Sequence, residues 1–264
     1  MNPYLPLIRS IRLKRNITIV ATSVALLLLL LFGVRTEISI LGFYYYNEGI
    51  HPFPWFLLLF SILFLGFLIH TIVSSPIDNA LNVECDPEKH LALCVAFRKK
   101  DRLAAAYLDG CFMLGDFDNC LRAINDLDKS KNAIYRPICA FQRARIGFFT
   151  KDTALLKEQT ALFMSLLATV KMNAAQKALF EKMAKYLSLL IALADECPDV
   201  SALADAVEPW GASRITVASI HYVKGLVAVR LGERDLAVYH FYALKEEFPK
   251  LFYAKLAEEQ LKTL

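Results

Sequence analysis

The chain has 264 residues, of which 56% are hydrophobic and 21% are charged, an apolar share above that of ordinary soluble proteins. Its formal net charge is +4, but the basic excess lies in Arg9, Arg12, Lys14 and Arg15, and the region after residue 75 is close to neutral. A nucleic-acid-binding domain is expected to carry a basic stripe, so we expect no nucleic-acid partner.

Two apolar segments follow a basic tail at residues 1–16. Residues 17–34 (ITIVATSVALLLLLLFGV) contain no charge and are long enough, as a helix, to cross the hydrocarbon core of a bilayer. The residues that end this run and follow it, LFGVRTEISI, lack the small side chains of a signal-peptide cleavage site. Residues 54–74 (PWFLLLFSILFLGFLIHTIVS) form a second uncharged segment. The pattern predicts two transmembrane helices, because helices buried in a soluble core usually show a polar stripe.

The basic residues also predict an orientation. Four precede the first span and only Arg35 lies between the spans, and Lys and Arg near a span resist translocation. We therefore expect a multi-pass protein, in the plasma membrane, with residues 1–16 and 75–264 in the cytoplasm. The connecting residues 35–53 are then extracytoplasmic, and EISILGFYYY within them is either an interfacial loop or a partly embedded continuation of the first helix.

Residues 75–264 read as a helical domain. Ala, Leu, Lys, Glu and Met are abundant and apolar residues recur at three- and four-residue spacing, with breaks predicted at Gly115, Lys151, Pro198, Gly232 and Pro249. The sequence contains no Gly-rich phosphate loop, H-E-x-x-H pair, G-x-S-x-G elbow or C-x-x-C pair. We therefore expect an all-α protein that is not an enzyme and needs no cofactor or metal.

One segment has a repeat-like pattern. From His221 to Ala254, two amphipathic helices are joined at Gly232 and followed by Pro249. This segment resembles the tetratricopeptide repeat (TPR) family, on the identity and spacing of Gly225, Gly232, Ala237, Phe241 and Pro249. The residues suit their positions, since glycine permits a close helix crossing and a tight turn, whereas proline ends a helix.

Weaker copies precede this segment, so that the resemblance covers residues 87–264 at most. One begins at Asp101 and places Gly115, Cys120 and Ile124 at matching spacings, and another spans residues 136–163. Residues 172–195 predict a further helix, the stretch that follows predicts a short one, and residues 251–264 predict a capping helix.

The resemblance implies a superhelix of helical hairpins with a concave face for a protein or peptide. Its groove would be lined by exposed positions on the first helix of each hairpin. These positions are Arg102, Asp109, Phe112, Phe141, Arg145, Phe148, Tyr222 and Leu226, together with Ala105, Ser219 and Val229. Aromatic side chains with a few arginines suit an apolar or acidic-ended segment.

The remaining candidate groups are interpreted as structural. Cys111 and Cys120 fall where alanine stands in the last repeat, and we expect both to be buried free thiols, as suits a reducing cytoplasm. His90, His221 and His240 are too scattered in sequence to propose as ligands. The acidic residues between Asp195 and Glu208 lack the ordered spacing of a calcium loop.

These features predict a membrane-anchored TPR-like adaptor or scaffold that binds a protein or peptide partner at the cytoplasmic face of the membrane. Two alternatives remain. The chain could be an accessory subunit of a transport, secretion or envelope-synthesis complex that docks through its spans, or an enzyme whose site the sequence does not disclose.

Overall fold

The computed structural model describes residues 3–33, 36–40, 43–47, 52–97, 101–211 and 213–264, with side chains described for 3–30, 56–97, 104–211 and 213–264. It divides into two compact units, residues 1–77 and 78–264. This boundary lies close to residue 75, where the sequence predicts that the helical domain begins.

The first unit contains two long helices and a strand pair. Helix α1 spans Leu5–Gly33 and helix α2 spans Pro52–Asn82, the last turn of which belongs to the second unit. Both begin before the predicted spans, so that most of the predicted tail is helical. Strands β1 (Thr36–Ile40) and β2 (Phe43–Asn47) pair antiparallel, with Ile38 opposite Tyr45. The continuation of the first helix through this stretch, one of two interpretations, is therefore wrong. Apart from this strand pair, the secondary structure of the described residues is all-α.

Two helical stretches, Leu5–Leu30 and Phe56–Asn82, are long and apolar enough to cross a membrane. Their apolar side chains are exposed, as at Phe60 (69%) and Phe67 (66%). Hydroxyl groups in α2 donate to carbonyl oxygens one turn earlier, from Ser61 to Leu57 at 2.8 Å and from Thr71 to Phe67 at 2.9 Å. Such internal bonding removes the cost of an unpaired hydroxyl in an apolar medium.

The second unit is a succession of helices. They are α3 (Pro87–Phe97), α4 (Asp101–Leu114), α5 (Phe117–Leu127), α6 (Tyr135–Phe149), α7 (Thr153–Thr169), α8 (Ala174–Ala194), α9 (Val200–Asp205), α10 (Arg214–Leu231), α11 (Arg234–Glu247) and α12 (Phe252–Thr263). Neighbours in sequence pack against each other, most extensively α6 with α7 and α10 with α11.

Local sequence explains where these helices begin and end. The predicted breaks at Gly115, Lys151 and Gly232 have φ values of +75°, +60° and +74°, a left-handed conformation that reverses the chain after a helix. The helices that follow start at capping side chains. Asp116 accepts a hydrogen bond from the backbone N–H of Asn119 in α5, and Asp152 accepts one from Leu155 in α7.

One hydrophobic core joins α4 to α12. Its side chains include Phe163, Phe241 and Leu190, each 0% exposed. Cys111 and Cys120 are buried and neither forms a disulfide, which confirms their prediction as small core residues. Packing in the last pair of helices is close at Gly225, where an added Cβ would lie 2.5 Å from the Phe241 ring.

Candidate functional site

The structure distributes the predicted groove residues over two cavities and the core between them. Phe148, Tyr222 and Leu226 line one cavity, whereas Asp109, Phe141 and Arg145 line another. Five of the predicted groove residues are buried, so the expectation that they are exposed is wrong: Phe112, Phe141, Arg145, Ser219 and Tyr222 are 0%, 1%, 2%, 0% and 6% exposed. Rings from other helices cover them, as Phe252 of α12 covers Phe112 and Tyr186 of α8 covers Phe141. The side chain of Arg102 lies outside the described residues.

The first cavity, here called the aromatic groove, has a volume of about 540 Å³, which lies within the usual range of ligand pockets. Helices α5, α6, α7, α8, α10 and α12 and the turns after α4 and α6 contribute to it. Its lining residues are Gly115, Phe117, Gly147, Phe148, Phe149, Lys151, Thr153, Leu156, Ala194, Tyr222, Leu226, Phe252, Leu256, Glu259 and Gln260.

Stacked and edge-on rings hold the wall of the aromatic groove. Phe149 lies 5.0 Å from Phe252 and 6.3 Å from Phe117 between ring centroids, and Tyr222 lies 5.6 Å from Phe149. Burial and the nearby Tyr253 raise the pKa of the Tyr222 phenol, which therefore remains neutral. Such a surface offers aromatic faces to an apolar side chain, and Lys151 and Glu259 add one charge of each sign.

Arg145, on α6, is the centre of a buried polar group here called the arginine cluster. Its guanidinium donates to Gln142 Oε1 at 3.0 Å, to Ser219 Oγ of α10 at 3.3 Å and to Tyr253 Oη of α12 at 2.7 Å. Its Cζ lies 3.7 Å from the ring centroid of Phe112 on α4. A buried cation is costly unless it is hydrogen-bonded, and these contacts tie α6 to three other helices.

Gln142 connects Arg145 to a carboxyl group. Its Nε2 donates to Asp109 Oδ1 at 2.7 Å while its Oε1 accepts from Arg145. Burial raises the pKa of Asp109, although the charges of Arg145 and His90 and the hydrogen bond from Gln142 act against that rise. The arginine cluster therefore holds a permanent cation beside a carboxyl group that is easier to protonate than usual.

The second cavity, here called the inner cavity, borders the arginine cluster and has a volume of about 260 Å³. It is lined by Asn82, Asp109, Met113, Ile138, Phe141, Gln142, Arg145, Leu179, Phe180, Met183, Trp210, Gly211, Ser213, Ile215 and Thr216. Phe141 and Trp210 form an edge-on pair at 5.6 Å in its wall. Apolar walls with a few polar groups are typical of small-molecule sites.

Sequence reasoning missed a histidine pair. Nδ1 of His221 on α10 lies 3.0 Å from Nδ1 of His240 on α11, so the two residues are not scattered in space. Burial lowers the pKa of both, and the charge of His221 contributes to lowering that of His240 to about 4. The two histidines lie at similar distances from Gly232, one before it and one after it, so packing α10 against α11 places them side by side. This spacing is the sequence signal that could have predicted the pair.

Burial lowers the reactivity of two cysteines in the helical core. Within the described residues, no three His, Cys, Asp or Glu side chains form a possible metal site. Burial, with the charge of Asp128, raises the pKa of Cys139 to about 12, and burial also raises that of Cys120. Neither thiol is therefore a ready nucleophile, because the thiolate is the reactive form.

Comparison of this chain with protein-family models, with curated proteins and with solved structures finds no match. Fold and site together define a class only: a helical protein in which two helices are long and apolar enough to cross a membrane.

Proposed function

We propose that the chain is a membrane-anchored adaptor or scaffold, in which residues 1–77 anchor a TPR-like helical region that binds a protein or peptide partner. In this proposal the anchor spans the plasma membrane twice, and the helical region lies at the cytoplasmic face. The exposed apolar surfaces of α1 and α2 support the anchor, because side chains such as Phe60 and Phe67 are favourable in lipid and unfavourable in water.

The aromatic groove is the observation that carries the binding function. Its occupant is an apolar peptide segment that inserts an aromatic or large aliphatic side chain between Phe148, Tyr222 and Leu226, all of which line the groove. Lys151 and Glu259 lie in the same lining, which suits a segment that carries mixed charge beside its apolar anchor. Aromatic side chains in a partly enclosed pocket are the usual anchors of such interfaces.

Site-specific photo-crosslinking in native membranes tests this proposal. A photoreactive residue at position 226, in the aromatic groove, should capture a discrete partner, whereas one at the exposed Tyr239 (62% exposed) should not. Substitution Leu226→Glu should abolish capture from a second groove position, 148, because it buries a charge in the apolar contact. Leu236→Glu is the matched control, since Leu236 is exposed (45%) and does not line the groove. Equal capture by both variants would contradict the proposal.

The alternative function, an accessory subunit docked through its spans, is favoured by one feature of α1. An open apolar trough runs along Ile17, Val20, Ala21, Val24 and Ala25, and small side chains allow a second transmembrane helix to approach closely. Removal of residues 1–74 distinguishes the two functions. The remaining fragment should still bind the partner of an adaptor, but it should lose the partner of a span-docked subunit.

A further inference from the structure

The arginine cluster leaves hydrogen-bonding capacity unused beside the inner cavity. Within the described part of the chain, Arg145 Nε is buried without a hydrogen-bond partner. Burial of an unpaired donor is costly, so such a group in a native protein calls for an explanation such as a bound water, ion or ligand. Arg145 is 2% exposed and lines the inner cavity, so a molecule in that cavity could supply the acceptor.

Size and lining restrict the molecule. The inner cavity of about 260 Å³ equals about nine water volumes, which corresponds to a single ring or a short chain. Its walls are mainly apolar, with Met113, Ile138, Leu179 and Ile215 among the lining residues and Trp210 and Phe141 offering ring faces. Asn82, Gln142, Ser213 and Thr216 add polar side chains to the lining, which suits a molecule that carries a polar group on an apolar body.

We propose that the inner cavity binds a small monocarboxylate, in which one aromatic ring or short alkyl chain occupies the apolar part and the carboxylate accepts a hydrogen bond from Arg145. This inference does not depend on the aromatic groove or on the membrane anchor. A permanently charged guanidinium is well suited to a carboxylate, and charge-assisted hydrogen bonds are stronger than neutral ones.

Asp109 couples this binding to pH. Its carboxyl group lines the same cavity, and as an anion it would repel the bound carboxylate, whereas in its protonated form it can donate a hydrogen bond to it. His90 and Arg145 are the charged groups that act on Asp109, and Gln142 donates to it. Binding should therefore take up a proton at Asp109, so that affinity falls as the pH rises above its pKa.

Tryptophan fluorescence can measure this binding in the full-length protein. The chain has two tryptophans, and Trp55→Phe leaves Trp210, in the cavity wall, as the single reporter. The probes are phenylacetate and its neutral analogue phenylacetamide, which match in shape and differ in charge. In detergent micelles, phenylacetate should quench Trp210 saturably at concentrations below about 10 mM, and phenylacetamide should bind at least about tenfold more weakly.

Two variants in the Trp55→Phe background locate the carboxylate. Arg145→Lys should weaken phenylacetate binding about tenfold or more, whereas Arg143→Lys, on the same helix but paired with Asp128 at the surface, should leave it unchanged. Asp109→Asn keeps the acceptor for Gln142 and stays neutral. Its affinity for phenylacetate should be constant between about pH 5.5 and 8, above the pKa of the probe, while that of the parent falls.

The absence of saturable quenching by phenylacetate, equal binding of phenylacetamide, or unchanged binding by a folded Arg145→Lys variant would each overturn the proposal. If circular dichroism shows that Arg145→Lys is unfolded, the comparison of acid with amide and the pH profiles of the parent and Asp109→Asn proteins decide it. Identical profiles in those two proteins would also count against it.

Discussion

At the scale of single residues, two glycines of the last repeat-like segment act through different physical effects. Gly232 has φ +74° and no atom within 4 Å of an added Cβ, whereas Gly225 lies in a helix with the Phe241 ring 2.5 Å from that position. The first glycine is required by backbone conformation alone. The second is required by the space between two helices.

These two roles predict different responses to alanine. Gly232→Ala should destabilise the fold by about 1–2 kcal/mol, the cost of a left-handed conformation for a residue with a Cβ. Gly225→Ala should lower the free energy of unfolding by about 1–3 kcal/mol through overpacking. The higher helix propensity of alanine should restore about 1 kcal/mol of that loss. Thermal denaturation followed by circular dichroism measures both.

Removing the ring that causes the overpacking provides the control. In a Phe241→Leu background, Gly225→Ala should become neutral or stabilising, because the propensity gain remains and the ring is absent. Gly232→Ala should cost the same in either background. A Gly225→Ala effect that does not change with Phe241→Leu would show that the close approach is not what requires glycine at this position.

The histidine pair predicts acid sensitivity. Burial lowers the pKa of His221 and His240 in the folded protein, the latter to about 4, against about 6.5 when unfolded. The unfolded chain therefore binds more protons between these values, so the pair contributes stability that is present above about pH 6.5 and is lost as the pH falls towards 4. Lys224 adds to the lowering at both residues, and Glu247 opposes it at His221.

The measurement is the midpoint of thermal denaturation as a function of pH. Between about pH 7 and 4, the midpoint of the wild type should fall more steeply than that of the double variant His221→Gln, His240→Gln. Other groups that titrate in this range contribute to both proteins and cancel in the difference. Parallel curves would refute the role assigned to the pair.

At the scale of helices, the start of α3 depends on one buried carboxylate. Asp86 is 5% exposed, and its Oδ1 accepts from the backbone N–H of Lys89 at 2.9 Å, while its Oδ2 accepts from Lys250 Nζ. Pro87 follows at the first helical position, where its missing N–H has no cost. Asp86 therefore caps α3 and ties it to the segment between α11 and α12.

Two substitutions separate the cap from the ion pair. Asp86→Ala should cost about 1–2 kcal/mol, because it removes the cap and the partner of Lys250. Asp86→Asn should cost less, since its amide oxygen can still accept from the Lys89 N–H. Burial alone would raise the pKa of Asp86. The hydrogen bonds and charges of Lys250 and Lys89 outweigh this effect, so the pKa of Asp86 is lowered.

The pH dependence follows from that direction. Stability from the ionised Asp86 is complete above the pKa of an unfolded aspartate, about 3.9, and is lost as the pH falls through the lower folded value. The difference between wild type and Asp86→Asn should thus be full at neutral pH and shrink in strong acid, as measured by urea denaturation. An undiminished difference below about pH 2 would contradict the ionic contribution.

The helix boundaries could be predicted from the sequence, because the turn and capping residues that set them lie next to each helix. The turns at Gly115, Lys151 and Gly232 could be predicted from residue type and from where the apolar spacing stops. The strand pair of Thr36–Ile40 and Phe43–Asn47 was not predicted, because its tyrosines are equally typical of a membrane interface. Which face of α4 and α6 is covered could not be predicted, because the covering residues are distant in sequence. Phe112 packs against Phe252, and the acceptors of Arg145 follow it by 74 and 108 residues.

At the scale of the whole molecule, the two units should behave differently in the cell. Residues 78–264 contain the core that joins α4 to α12, and the proposed anchor lies in residues 1–77. The full chain should sediment with membranes and resist extraction by alkaline carbonate, whereas a fragment of residues 78–264 should be soluble and helical. A carbonate-soluble full chain would exclude a spanning anchor.

The proposed topology is tested separately. A reporter fused after Leu264 should be active only in the cytoplasm, because the basic residues from Arg9 to Arg15 precede the first span and two spans return the chain to the same side. Activity on the outer side alone would reverse the orientation. The aromatic groove would then meet a different set of partners.

The hydrogen bonds of Arg145 also bear on biosynthesis. Its acceptors Ser219 and Tyr253 follow it by 74 and 108 residues. During translation the guanidinium is made long before either acceptor, and early helices fold first. Until α12 leaves the ribosome, the guanidinium of Arg145 must remain solvated, because its acceptor Tyr253 on α12 is not yet in place. The core between α4 and α6 therefore cannot close around it. Completion of this core is therefore a late event, and nascent chains arrested before Tyr253 should remain sensitive to proteases at α6.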